Sequence, residues 1–161
     1  MAEVKLQARV AVDGGARIES HADSGHEVAA DVLPPIGGDT AARPTELILA
    51  ALASCTAVDV LSVLQKKRQP PARYEVAVTA EKADETPSVF LHIVLEHQVE
   101  GEVMPEAVAR AVELSATKYC PVSRMLSKAV PIEHGYRLTR PDGEVISALV
   151  AVTSPEGQRL V

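Results

Sequence analysis

The sequence predicts an α+β fold, and three observations carry the prediction. Two separate groups of segments alternate polar and apolar residues, the period of a half-buried strand. Between them runs one long, almost wholly apolar stretch, residues 44–68, with helix signals at both ends. After the second group comes an amphipathic segment, residues 104–119, with Val108, Ala111, Val112 and Ser115 on one side. Runs of strands followed by helical sequence are the pattern of an α+β domain.

The first group begins at residues 4–12, where Val4, Leu6, Ala8, Val10 and Val12 share a face. Asp13-Gly14-Gly15 is a hairpin turn signal, and residues 16–21 continue as a second strand. Residues 27–33 offer a third. Pro34-Pro35-Ile36-Gly37-Gly38-Asp39 is a loop of residues that break regular structure. The long helix follows. Pro44 suits its first position, and Glu46 meets the positive end of the helix dipole. Lys66-Lys67-Arg68 suits the last turn, and Pro70-Pro71 stops it. Its apolar residues surround the axis, which predicts burial on most sides. Residues 74–81 and 89–99 then read as an antiparallel pair. Residues 119–126 are a turn leading into a short helix. Residues 132–139 are a further strand, Pro141-Asp142-Gly143 is a turn, and residues 145–152 form one more apolar run.

Composition limits the function classes. A chain of 161 residues suits one domain with a sizeable core, and one Phe, three Tyr and no Trp make that core aliphatic. A net charge of -6 and a pI near 5.4 argue against a nucleic-acid partner. The long helix is nearly long enough to span a membrane, but Asp59 interrupts it and no aromatic residue marks an interface, so no membrane is expected. The N-terminus lacks a basic start and apolar core, which points to the cytoplasm. In that compartment two cysteines are free or redox-active thiols rather than a structural bridge. Small sheets of about three strands each would leave the apolar helix partly uncovered. A homodimer, with the helices buried between sheets, resolves this.

The cysteines differ. If Pro121 opens a helix, Cys120 is its N-cap, and backbone N–H groups aimed at the sulfur would lower its pKa. Cys55 lies mid-helix among apolar residues, where a free cysteine is commonly a small buried hydrophobe. Asp59, one turn on, would oppose a Cys55 thiolate and so calls for a basic partner; Arg124 or an N-terminal arginine is the candidate. His21, His26, His92, His97 and His134 show no metal spacing with either cysteine, and no metal is expected.

Two motifs carry a family resemblance. Arg43-Pro44-Thr45-Glu46-Leu47-Ile48-Leu49-Ala50-Ala51-Leu52-Ala53-Ser54-Cys55-Thr56-Ala57-Val58-Asp59-Val60, followed far downstream by Cys120-Pro121-Val122-Ser123, resembles the OsmC/Ohr family of osmotically induced and organic-hydroperoxide-resistance proteins. Thr56 and Asp59 after the cysteine look most like its YhfA-like branch. The resemblance covers residues 1–140 as one OsmC-like domain, leaving 141–161 as a C-terminal tail or extra strand of the same domain. It implies antiparallel sheets around a long buried central helix in an intertwined homodimer. It implies thiol-dependent reduction of organic hydroperoxides in oxidative-stress defence, with no cofactor. Cys55 would be the peroxidatic thiol and Cys120 the resolving thiol, restored by a lipoyl or thioredoxin-like dithiol. Glu46 would orient an activating arginine, for which Arg17, Arg9 and Arg43 are candidates. Glu46 and Cys55 are nine positions apart, about two and a half turns at about 3.6 residues per turn, so an ideal helix sets them on opposite sides. The alternative is a non-enzymatic stress protein of the same fold that binds an apolar ligand or senses oxidants.

Overall fold

A computed structural model of the chain describes residues 3–10 and 15–161. Val12 and the Asp13-Gly14 part of the expected hairpin turn lie outside the described residues. The chain divides into two compact units, one ending at Ala50 and the other beginning at Ala51.

The first unit carries three antiparallel strands in the order β1-β2-β3: β1 (Leu6–Val10), β2 (Ile18–Ala22) and β3 (Glu27–Ala30). Leu6 pairs with Ala22, and Ile18 with Ala30. The third strand is shorter than expected because the chain turns at Asp31. That buried carboxylate accepts the N–H groups of Val32 (2.8 Å), Thr40 (2.9 Å) and Gly38 (3.3 Å), and the Thr40 hydroxyl at 2.7 Å. One side chain therefore gathers the loop that the Pro and Gly residues leave without a ladder. Gly37 is required there: a Cβ on it would fall 2.2 Å from the Val32 carbonyl oxygen and 2.3 Å from Asp31 Oδ1.

The Thr40 hydroxyl, then the Thr40 and Val32 N–H groups, hold the Asp31 carboxyl down at about 2, from an ordinary 3.8. Its folded value lies below its unfolded one. The stabilisation is therefore complete above pH 3.8 and is lost as pH falls through about 2. The gap in urea midpoint between the wild type and Asp31→Asn is expected to hold constant above pH 3.8 and to close as pH approaches 2. A gap that persists at the acid end would show that the carboxylate charge does not organise this loop.

The helix α1 (Pro44–Lys66) begins in the first unit and continues into the second. Its start is capped from within: Glu46 Oε2 accepts the Arg43 N–H at 2.9 Å, as the third residue of a capping box does. Its end is a Schellman-type cap. The Gln69 N–H donates to the Leu64 carbonyl (3.0 Å) and the Arg68 N–H to Gln65 (2.9 Å), with Arg68 at φ 58°, a position where glycine is usual. By length and composition α1 is apolar enough to cross a membrane. Yet Leu52, Thr56, Val60 and Leu64, four residues apart, are fully buried, and Val60 and Leu64 join the main core cluster.

Burial on most sides is not what the single chain provides. Only that one stripe is closed, while Val58 is 68% exposed. All-round apolarity states what the helix can tolerate against it; how much is covered depends on the elements that reach it.

The second unit holds a five-stranded sheet in the order β4-β5-β6-β7-β8, with β4 (Arg73–Lys82), β5 (Phe90–Glu100), β6 (Ile132–Thr139), β7 (Val145–Ser154) and β8 (Gly157–Leu160). Two expectations are corrected here. The sheet has five strands rather than about three, because the turn at Pro141-Asp142-Gly143 returns the chain as β7 and β8. It is also mixed rather than antiparallel, since β5 and β6 run parallel. Parallel neighbours need a long crossover, and the helical segment between them supplies it. That crossover contains α2 (Pro105–Leu114), a five-residue π-helical turn (Ser115–Tyr119) and α3 (Pro121–Leu126). Val108, Ala111 and Val112 of α2 pack with Val99 of β5 and Leu138 of β6 in one aliphatic core.

Candidate functional site

The second unit brings the two cysteines together. Cys55 is half-buried on α1 and Cys120 is buried at the end of the π-helical turn; both are free thiols. They are near enough for Cys55 to act on the ionisation of the Cys120 thiol. The predicted cap is present. Pro121 is the first residue of α3, Cys120 is the N-cap, and the Ser123 N–H donates to Cys120 Sγ at 3.3 Å. The Cys120 N–H in turn donates to the Ser115 carbonyl (3.0 Å), which ties the thiol to the π-helical turn.

The expected electrostatic consequence is reversed. Burial pushes the Cys120 thiol up to about 12, and the neighbouring Cys55 adds to the rise. The Ser123 and Val122 N–H groups pull the other way and are outweighed. A helix start of one turn offers few donors, and they do not match removal of the sulfur from water.

Asp59 is also placed differently from expectation. Its hydrogen-bond partner among the described residues is the Ser115 hydroxyl, 3.1 Å away, and Arg124 is exposed on α3. Burial raises the Asp59 pKa. Asp59 borders an open groove of about 630 Å³, with Ser62 and Val63 of α1 on one side and Leu114 and Tyr119 on the other.

Two histidines expected at the surface or on strands, His97 and His134, are fully buried strand residues. The Tyr74 hydroxyl lies 2.7 Å from His97 Nδ1. His134 Nε2 lies 3.1 Å from the Thr153 hydroxyl and 3.4 Å from the Ser123 hydroxyl. Burial depresses both imidazoles, His97 to about 3 and His134 to about 4, so both stay neutral at physiological pH. The alternation of Ile132, His134, Tyr136 and Leu138 is the sequence signal that His134 faces inward. Among the described residues, no group of three or more His, Cys, Asp or Glu side chains could hold a metal ion.

The remaining predicted site residues belong to the first unit. Glu46 Oε1 lies 3.4 Å from the Arg43 guanidinium, whose other nitrogen is 3.8 Å from Asp39. Arg17 donates to the Thr40 hydroxyl (2.8 Å) and carbonyl (3.3 Å), and lies 3.6 Å from Glu19. Arg9 faces Glu19 across the β1–β2 ladder.

The family described as OsmC-like protein matches residues 37–135, a span that contains both cysteines. The chain belongs to this family. This OsmC-like chain is 44% identical over 134 residues to Protein YhfA of Escherichia coli strain K12, covering 83% of itself and 98% of that protein. A structural-genomics structure superposes with a TM-score of 0.73 at 41% identity, covering 83% of this chain and 98% of its own. An organic hydroperoxide resistance protein from Elizabethkingia anophelis, solved with thiocyanate bound, shares the fold: TM-score 0.58, 16% identity, coverage 87% and 96%.

Proposed function

We propose that this OsmC-like protein is a thiol peroxidase that reduces organic hydroperoxides with Cys55 and Cys120. One observation carries the reading: two free thiols 65 residues apart in sequence, one on α1 and one capping α3, are near enough for one to act on the other's ionisation. The Cys55 thiolate attacks the outer peroxide oxygen, the O–O bond breaks, and the alkoxide leaves with a proton as the alcohol. Cys55 is left as a sulfenic acid. Half-buried Cys55 meets the peroxide first, and buried Cys120 follows as the resolving thiol. A dithiol, lipoyl or thioredoxin-like, reduces the resulting disulfide.

The exposed apolar flank of α1, with Val58 at its centre, is covered by a second copy in a homodimer. Glu46 caps α1 and holds Arg43, so of the candidate arginines (Arg9, Arg17 and Arg43) it is Arg43 that Glu46 orients. The reaction takes place in the cytoplasm, as part of a stress response. Membership of the OsmC-like family and the fold shared with a named hydroperoxide-resistance protein support a peroxide-related role.

Purified protein with dihydrolipoamide is expected to consume cumene hydroperoxide over many turnovers. With one equivalent of peroxide and no reductant, it is expected to form a Cys55–Cys120 disulfide, seen by peptide mass spectrometry. Unchanged peroxide in the presence of fully reduced thiols would overturn the reading and turn attention to an apolar ligand held by a non-enzymatic stress protein.

A further inference from the structure

The six-residue α3 has barely one hydrogen-bonded turn, too little to fix its own start. Its geometry at Cys120 is set from the sheet. Ser123 presents two groups: its N–H donates to Cys120 Sγ at 3.3 Å, and its hydroxyl meets His134 Nε2 at 3.4 Å. His134 stands on β6, and the Thr153 hydroxyl of β7 fixes the same ring nitrogen at 3.1 Å. Ser123 and His134 are fully buried, so water does not substitute readily for either contact. His134 Nδ1 has no hydrogen-bond partner among the described residues, so the ring's hydrogen bonds run through Nε2.

We propose that His134 is a positioning residue for the resolving thiol, holding the Ser123 hydroxyl so that the Ser123 N–H stays aimed at the Cys120 sulfur. The inference rests on the two-thiol reading above. In that reading Cys120 attacks the sulfur of the Cys55 sulfenic acid, an S–S bond forms and the S–O bond breaks. The departing hydroxide takes the Cys120 proton and leaves as water. Attack needs the thiolate, which burial disfavours, and the Ser123 N–H is a hydrogen bond that favours it. The other titratable groups of this buried region are Cys55 and Asp59 on α1, Tyr74 on β4 and His97 on β5. Burial keeps both rings neutral, and for His97 the neighbouring His134 adds to the effect.

The test reads Cys120 directly. In a Cys55→Ser background, iodoacetamide alkylation of Cys120 is followed against pH. His134→Phe is expected to move the midpoint upward and to slow alkylation below it roughly fivefold, the worth of one hydrogen bond. His134→Gln, which keeps a polar group near the Nε2 position, is expected to restore most of the rate. Ser123→Ala cuts the same tether without altering the sheet and is expected to match His134→Phe; it decides the matter if His134→Phe does not fold. A midpoint that does not move in Ser123→Ala, or a His134→Gln no better than His134→Phe, overturns the proposal, since a merely structural role lowers thermal stability without shifting this profile. With Cys55 intact, one equivalent of cumene hydroperoxide should leave the sulfenic acid, trapped by dimedone, about fivefold longer-lived in Ser123→Ala. If the wild type ignores peroxide altogether, the two-thiol reading fails, while the alkylation midpoint still decides the tether.

Discussion

Cys55→Ser is expected to reduce catalysed peroxide consumption to background, a loss on the order of a thousandfold or more, as for removal of any nucleophile that carries the first bond-making step. A serine hydroxyl has nearly the same shape, so packing around the half-buried position is kept while the nucleophile is lost. Cys120→Ser is expected to behave differently. Its Cys55 still reacts with one equivalent of peroxide per chain, but the sulfenic acid has no thiol within reach and turnover stops. Peroxide loss by the ferrous–xylenol orange assay, together with the mass of the Cys55 peptide, separates the two. Substantial turnover in Cys55→Ser would remove it from the nucleophile's role. Sustained dithiol-dependent turnover in Cys120→Ser would show that an external thiol resolves the sulfenic acid directly.

Leu64→Ala is expected to cost about 2–5 kcal/mol of stability, the range for truncating a buried leucine in a core that collapses only partly. Leu64 is fully buried in the last turn of α1, in the same cluster as Val60, Val99, Val108 and Leu138. Its carbonyl also receives the Gln69 N–H that closes the helix. The side chain therefore couples the helix end to the sheet and to α2. For a chain of this size the loss corresponds to a fall of about 4–20 °C in Tm. A fall below about 2 °C would mean that α1 is not anchored in this core.

Much of the organisation is legible in the amino-acid sequence. The ends of α1, the alternation of β4 and β5, and the N-cap at Cys120 depend on residues only a few positions apart, so local sequence reports them. The family is legible for a related reason. Its two cysteine motifs are short continuous stretches, and each keeps its residues on one local element.

Tertiary structure decided what depends on distant segments. The parallel pairing of β5 with β6 follows from where the crossover returns the chain, which strand alternation does not encode. The raised Cys120 pKa is the outcome of a competition. The opposing N–H groups are local and visible in Cys120-Pro121-Val122-Ser123, whereas the larger effect, burial, comes from everything packed around the thiol. The same holds for Asp59, whose partner Ser115 is 56 positions away, and for His134, which reaches Ser123 from a separate strand. Local hydrogen bonds and propensities are written along the chain; desolvation is a property of the packed fold, and here it sets the protonation of the residues closest to the proposed chemistry.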